Sequence, residues 1–548
     1  MPGLDAETRK MIIETWEEFA ETNFPLETLL DLDRKNEFPA EPIRQLFDPN
    51  EFGLHLLPIE EKFGGMGGSS YDMYRMCEAI AGVDLGVATS FFSAFLGVDP
   101  IDIGGTEEQR KYWFERMAAE GFLAAYGATE PEAGSDLGAL RTKAVPVEED
   151  GKITGYRITG RKQWISNGGV AKVYTILAAA PGGPTWFVLE DGVEGFSTEK
   201  PEDKHGIRLS HTGALVLEDV FVPVENLLGG KEGQGLRQAQ AVFGYTRLFV
   251  AALGLGAGWR AVEITSRYSQ ERVVSGSALS EKQGYTHKLL VPFATWLEAS
   301  RAFIEDVAER LDGGEKGLQT EGAIAKFMAT EAGNAAAEAG IQGLGGYGYT
   351  REFEVEKVKR DVRITTIYEG TSEIMEWTIA RDRWQEHLKS AGDFYRAMAR
   401  EQVELHGKHP DVGAGVNANT LNALATILEH CRAQQLTRNQ HILFRMGRLI
   451  AWAETAAVFS KRSTADEYSD GVKFDQETWK AMARVHAREA AQTVVCDGIR
   501  WIVGSGSVDA AQLATECGLT NILQWNQGLL DDMRIVRDAL IKRFAVGE

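Results

Sequence analysis

Cysteine is scarce: four residues among 548, and Cys77, Cys431, Cys496 and Cys517 stand far apart with no CxxC or Cys/His spacing. That pattern excludes a disulfide framework and a clustered metal site. It reads as free, mostly buried thiols in a reducing compartment. No run of eighteen apolar residues occurs, so no membrane span is expected. Met1-Pro2-Gly3-Leu4-Asp5-Ala6-Glu7 has neither the basic start and apolar run of a signal peptide nor the Arg-rich look of a transit peptide. Ala545-Val546-Gly547-Glu548 is no peroxisomal address. A cytoplasmic enzyme is the expectation. Positive charge is also short: 58 Lys+Arg against 80 Asp+Glu give a formal net charge of -22. Such a balance disfavours nonspecific binding to nucleic acid or anionic membranes. Residues 386–548 carry 19 basic and 20 acidic side chains, so the acidity lies in the first 385. Walker A, H-E-x-x-H and G-x-S-x-G strings are absent.

A chain of this length exceeds one ordinary core, and two to four domains are expected. Its 44% apolar and 25% charged residues are those of a globular protein. Residues 1–122 read mainly as helix, with Met11, Ile12, Ile13, Trp16 and Phe19 at helical spacing, and a second helix from Asp72 to Val83. Gly64 to Gly68 is a loop. Residues 123–233 change period. Ile153–Gly160, Val173–Leu177, Thr185–Leu189 and Ala214–Leu217 are short β-branched or aromatic runs between turn residues, as in a small sheet domain. Helical periodicity resumes over 234–385, and 386–548 is an additional helical region with long pieces at 417–434, 437–464, 476–504 and 519–544. Helix, strand, helix is not the alternation of a dinucleotide fold. The G-x-G-G-x-G string at Gly343–Gly348 follows a helix, not a strand, and is no Rossmann fingerprint.

Five segments carry candidate chemistry. Tyr368-Glu369-Gly370-Thr371-Ser372-Glu373-Ile374 places an acid in a tight turn at a helix start. In a partly apolar pocket walled by Ile367 and Tyr368, Glu369 is a candidate base toward a carbon acid, because desolvation raises its proton affinity. The plain alternative is a first-turn glutamate. Thr371 and Ser372 are candidate caps of that helix. Tyr126 to Asp136 has small residues and hydroxyls that suit a flat ligand, or a polar connection. Trp164 and Ser166 precede a Gly-Gly turn and pair an indole with a hydroxyl, or end a strand in the core. Arg272 is a candidate pyrophosphate ligand or a solvated arginine. Gln342 to Tyr349 is a glycine-lined surface.

Together these segments resemble the acyl-CoA dehydrogenase family. The likeness extends to Lys204–Ser210, Leu217–Pro223 and Ile379–Asp382, and covers roughly residues 5–385. It implies a mainly α fold: an N-terminal helical domain, a middle β-barrel-like domain and a four-helix bundle with FAD between them. The added helical domain is similar in position to that of very-long-chain members, which implies a homodimer. Carried over by position, Glu369 is the catalytic base. Tyr126, Ala128, Thr129, Trp164 and Ser166 contact the isoalloxazine, and Ser135 contacts FAD or acyl-CoA. Arg272 holds the pyrophosphate, Gln342 and Gly346 reach the FAD of a neighbouring subunit, and Thr371 and Glu373 make the last FAD contacts. Tyr245, Arg247, Tyr368 and Gly370 fall on substrate-binding positions. No metal is implied. The reaction implied is α,β-dehydrogenation of an acyl-CoA, as in fatty-acid β-oxidation, with a hydride passing to flavin N5. Electrons then go to an electron-transfer flavoprotein.

Some positions depart from the family. Ser275 replaces a common phenylalanine, and Glu373 replaces a glutamine usual in some subfamilies. Gly244-Tyr245-Thr246-Arg247 holds no acid, which leaves the alternative base position empty and favours Glu369. Ala88 stands where glutaryl-type members place an arginine, which argues against a short dicarboxylate. An oxygen-using oxidase is the alternative within this fold. A DNA-associated flavin-binding relative is another, opposed by the near-neutral 386–548 region. The far end of the acyl pocket is expected from 91–99 and 245–255, with Phe91, Phe92 and Phe95 either lining it or belonging to the core.

Overall fold

The computed structural model describes residues 3–465, 471, 474–506 and 508–546. Met1, Pro2, Gly547 and Glu548 of the terminal readings lie outside them. The described residues form two compact units: one runs to Phe249 and includes Leu311–Lys316, and the other comprises Val250–Arg310 and the chain from Gly317 onward.

The first unit opens with six helices: α1 Ala6–Asn23, α2 Leu26–Lys35, α3 Ala40–Phe47, α4 Ser70–Ala81, α5 Leu85–Gly104 and α6 Glu107–Glu120. The ends obey local chemistry. Ser69 and Asp72 form a reciprocal capping box at the start of α4, as Thr106 and Gln109 do at α6. The α4 N-terminus also donates its Ser70 and Tyr71 N–H groups to the Asp312 carboxylate at 2.8 and 3.0 Å, an anion placed where the helix dipole favours one. Helix α5 is mainly apolar and mostly buried, as a central helix must be, and its two aspartates, Asp99 and Asp102, fall in its last turns.

Seven strands follow: β1 Ala124–Gly127, β2 Lys143–Glu149, β3 Lys152–Ser166, β4 Val173–Ala180, β5 Gly183–Glu190, β6 Phe196–Thr198 and β7 Thr212–Pro223. They pair in the order β1-β4-β2-β3-β7-β6, with β5 on the other edge of β4. The pairs β1–β4 and β2–β4 are parallel, and the rest are antiparallel. Strand β3 outruns the Ile153–Gly160 segment read from alternation, because its second half continues against β7 across two register shifts.

Helix α7 spans Gly235–Glu271 and ends the first unit's sequence within its length. By length and hydropathy alone it would cross a membrane, yet 72% of its most apolar window is buried inside the protein. After it come a short hairpin, β8 Val273–Val274 and β9 Ser277–Ala278, then α8 Gln283–Leu289, α9 Val291–Asp312, α10 Gln319–Leu344, α11 Glu354–Val362 and α12 Ser372–Lys389. In the second unit α7, α9 and α10 meet at small residues. A Cβ on Gly254 would press on Thr330, and one on Gly258 would press on Leu297 and Gly333. The backbones therefore approach to a distance only glycine permits.

The remaining helices are α13 Phe394–Lys408, α14 Ala414–Ala433, α15 Gln440–Arg462, α16 Gln476–Gln492, α17 Gly498–Gly504, α18 Ala510–Glu516, α19 Leu519–Gln524 and α20 Leu529–Arg543. They share the second unit with the bundle. Arg383 of α12 bonds Glu454 of α15 at 2.8 Å and Glu321 of α10 at 3.0 Å, and the Tyr395 hydroxyl of α13 also donates to Glu454 at 2.9 Å. Trp479 of α16 donates its indole N–H to Glu298 of α9 at 3.0 Å. Helices α12 and α15 cross so closely that a Cβ on Gly447 would overlap the Glu376 carbonyl. Gly447→Ala is expected to cost about 1–3 kcal/mol in chemical denaturation through that overlap. An unchanged midpoint would contradict the crossing.

Candidate active site

In the first unit the candidate residues gather at one end of the sheet. The Thr129 carbonyl accepts from the Gln163 N–H at 3.0 Å, which sets the chain after β1 beside Trp164. Trp164 has φ +57 and is 59% exposed, so its indole faces outward and is no core ring. Ser166 pairs with Thr212 of β7 at the strand end. The Tyr126 ring is 4.8 Å from Trp186 and 6.3 Å from Phe243, and Ala128 is buried beneath the same segment. Ser135 is exposed in the loop that Asp136 closes by accepting from the Gly138 N–H.

A buried ion pair fastens this end. The Lys162 ammonium, without exposed surface, donates to Glu130 at 2.7 Å, to the Leu177 carbonyl at 2.6 Å and to the Ala128 carbonyl at 3.3 Å. Glu130 also accepts from the backbone N–H groups of Arg141 and Thr142. Burial pushes the ammonium down to about 8 against the pull of Glu130. The same burial opposes the Glu130 charge, but Lys162 and the N–H donors outweigh it and hold the carboxyl below its ordinary range. Tyr245 on α7 reaches Asp99 with its hydroxyl. Arg247 lies half-buried two residues on.

In the second unit Arg272 is the first residue after α7. It is exposed, its N–H bonds the Tyr268 carbonyl at 3.0 Å, and its own carbonyl accepts from Leu279 at 2.9 Å. The departure at Ser275 has a local reason: Ser275 and Gly276 form a two-residue hairpin turn with φ +50 and +85, where a bulky ring is disfavoured. Gln342 is exposed near the end of α10, and Gly345, at φ +62, stops that helix. Nothing lies within 4 Å of a Cβ built on Gly345 or Gly346, so that surface is open to a ligand or a second chain. The Tyr268 and Tyr347 rings, 6.4 Å apart, hold this loop beside the end of α7 that bears Arg272.

Glu369 is half-buried at φ +54, followed by Gly370 at φ +97. Consecutive left-handed residues turn the chain sharply, at a conformational cost that the surroundings must offset. Two contacts do so. The fully buried Lys326 of α10 donates to the Gly370 carbonyl at 2.6 Å, and Thr371 caps α12 by accepting from the Ile374 N–H. Ser372 does not cap. Its hydroxyl donates to Glu331 at 2.5 Å. Glu373 is exposed in the first turn, and Tyr368 precedes the bend with its N–H on the Ile364 carbonyl.

Sequence reasoning missed Lys162 and Lys326. Each is a lone ammonium inside an otherwise apolar or alternating run, such as Ala323-Ile324-Ala325-Lys326-Phe327-Met328, and that interruption was the available signal. It also missed Glu376, one turn below Ser372. Burial raises its carboxyl to about 7 against the pull of Arg445 and Arg448, with Glu331 and Glu373 adding to the rise.

The chain matches the N-terminal domain of acyl-CoA dehydrogenases over residues 6–121, their middle domain over 125–220 and their C-terminal domain over 233–383. The chain belongs to the acyl-CoA dehydrogenase family. A short-chain-specific acyl-CoA dehydrogenase of Clostridium acetobutylicum is 34% identical over 384 residues, which are 68% of this chain and 97% of that one. The butyryl-CoA dehydrogenase of Megasphaera elsdenii superposes with a TM-score of 0.65 at 32% identity, covering 70% of this chain and 99% of that one. An acyl-CoA dehydrogenase of Bacillus anthracis, solved with FAD, covers 98% of this chain and 96% of its own with a TM-score of 0.81. At 23% identity that last likeness speaks for the fold alone, and it takes in the C-terminal helices. Acyl-CoA dehydrogenases are FAD-dependent oxidoreductases. Each unit, taken by itself, offers groups compatible with FAD: an exposed indole and half-buried hydroxyls at Thr129 and Ser166 in the first, an exposed arginine and an open glycine surface in the second. Lys326→Met should lower kcat about tenfold or more while KM moves little, since it frees the loop that aims Glu369. An equal loss in kcat for Lys326→Arg and Lys326→Met would indicate packing instead.

Proposed function

We propose that this chain catalyses α,β-dehydrogenation of an acyl-CoA thioester to the trans-2-enoyl-CoA, with Glu369 as base. The observation that carries this is the Glu369-Gly370 bend, held from below by Lys326 and from the next turn by Thr371. The α-proton of a thioester is a weak acid, so removing it requires a fixed carboxylate and stabilisation of the developing enolate oxygen. The Glu369 side chain takes the proton, and its backbone N–H donates to the thioester oxygen. Tyr368 and Gly370 border the reacting carbons. Ser135, Tyr245 and Arg247 contact the acyl-CoA. Tyr126, Ala128, Thr129, Trp164 and Ser166 seat the isoalloxazine, Arg272 neutralises the pyrophosphate, and Thr371 and Glu373 complete the FAD contacts. FAD, when bound, supplies the acceptor for the β-hydrogen.

The finer readings rest on the resemblance. Electrons pass to an electron-transfer flavoprotein, the enzyme works in the cytoplasm, and it assembles as a homodimer in which Gln342 and Gly346 reach the partner's FAD. The domains are taken as 1–122, 123–233, 234–385 and 386–548. The relatives named short-chain-specific and butyryl-CoA dehydrogenase favour a short acyl group, whereas the added helices are the feature shared in position with very-long-chain members.

Glu369→Gln should keep FAD and acyl-CoA binding and lower turnover by about 10²–10⁴-fold or more in a ferricenium assay. Near-normal turnover would remove Glu369 from the role. Oxygen uptake that outpaces ferricenium reduction would replace the dehydrogenase by an oxidase, and a tetramer in light scattering would remove the homodimer.

A further inference from the structure

Helix α15 carries His441, Arg445 and Arg448 at four- and three-residue spacing, so the three share one face. Trp501 of α17 packs on that face. Its ring meets the His441 ring edge to face at 4.7 Å. The Arg445 guanidinium lies 5.7 Å from the same ring, and that of Arg500 lies 4.7 Å from it. Further along α15, Gly447 stands between Arg445 and Arg448 and packs on the Glu376 carbonyl of α12. Both arginines therefore act on the Glu376 carboxyl.

No carboxylate lies within 4 Å of Arg445, Arg448 or Arg500 among the described residues. Arg448 makes no hydrogen bond to them either, and its Nε has no exposed surface. The Trp501 indole N–H is likewise enclosed and without an acceptor. Other half-buried arginines of these helices are held differently. Arg462 pairs with Glu305 and Glu309, and Arg484 and Arg488 both pair with Asp532. Burial raises Glu376 to about 7 against the pull of Arg445 and Arg448, and Glu331 of α10 and Glu373 of α12 add to the rise. Protonation of Glu376 removes a competing anion from the two arginines.

Enclosed donors without acceptors are costly, and in a native protein they mark a bound ion or water. A guanidinium presents a fork of donors matched to an oxyanion, and the indole N–H adds another. Donors without exposed surface are reached only by a small group that enters between the helices, not by a broad partner surface. We propose that α15 and α17 form a binding site for a small phosphoryl-type oxyanion, held by Arg445, Arg448 and the Trp501 N–H, with Glu376 as the competing anion that must be neutral. Arg500, exposed beside Trp501, adds positive charge at the entrance. The oxyanion has two sources: a free phosphate, or a phosphate of the CoA substrate. The second source rests on the dehydrogenase reading; the site itself does not.

Full-length protein loaded with FAD is titrated with sulfate in a calorimeter, because sulfate keeps the same charge from pH 6 to pH 8. With Glu376 titrating near 7, about nine-tenths of it is neutral at pH 6 and about one-tenth at pH 8, so sulfate should bind about tenfold more weakly at pH 8. Glu376→Gln should bind sulfate equally at both, and about tenfold more tightly than wild type at pH 8. Arg448→Gln should weaken binding at pH 6 about tenfold or more. Absence of sulfate binding by wild type at pH 6 overturns the proposal. So does binding that Arg445→Gln and Arg448→Gln both leave unchanged. A fall toward pH 8 that persists in Glu376→Gln belongs to His441 and overturns the part given to Glu376. The gain in Glu376→Gln is a rise in affinity, so a misfolded arginine variant does not shield the proposal. In the ferricenium assay, sulfate that raises KM for butyryl-CoA in wild type but not in Arg448→Gln assigns the site to a CoA phosphate. A KM unmoved by sulfate, with calorimetric binding intact, assigns it to a free phosphate. No turnover, again with sulfate binding intact, overturns the dehydrogenase reading and leaves the oxyanion site standing.

Discussion

Lys162 has no exposed surface, yet its ammonium keeps three oxygen partners, from the chain after β1, from β4 and from the Glu130 carboxylate. Glu130 in turn takes two N–H groups from the chain entering β2. One ion pair thus gathers the ends of β1, β2 and β4 around β3. Burying two charges gives little net stability, because desolvation consumes most of the attraction, but leaving either charge alone costs several kcal/mol. The pair therefore acts as a constraint on geometry. The chain carrying Ala128 and Thr129 must lie where Lys162 can reach it, and Trp164, two residues further along β3, is aimed by the same strand.

The second unit solves a similar problem at Glu369. Its bend is unfavourable for a residue with a Cβ, so it persists only where fixed neighbours impose it. Lys326 belongs to α10, which crosses α7 at glycines and meets α12 through the Arg383 network. The C-terminal helices enter through that network, because Glu454 of α15 and Tyr395 of α13 complete it. Through it they brace the helices that hold the Glu369 loop.

Much of this was legible as pattern. The helical, sheet and helical order follows from period, and the Thr371 cap follows from a hydroxyl three residues before Ile374. Other features escaped for definable reasons. The stretch 519–544 reads as one helix, but Gly528 at φ +82 divides α19 from α20. The stretch 476–504 reads as continuous, and a π-helical turn at Thr493–Asp497, with no glycine or proline inside it, interrupts it just before Gly498. Trp164 reads as a strand residue of either facing, and its positive φ turns it outward in a way no alternation encodes. Lys162 and Lys326 escaped because a lone lysine is normally a solvated one. Phe92 and Phe95 line a cavity while Phe91, beside them, is fully buried, a difference set by the angular position of each on α5.

The left-handed backbone at Glu369 also bears on how this position can drift. A glutamate codon reaches Asp, Gln, Lys, Ala, Val and Gly by one base change. Gly and Asp accept positive φ with little or modest strain, and β-branched Val accepts it worst. The substitutions that lose the carboxylate outright therefore differ in visibility: Val should damage the fold as well as the chemistry, whereas Gly could leave a well-folded but silent protein. A descendant chain with glycine here would keep every surface this one has, and would be the natural raw material for a binding protein built on an enzyme's frame.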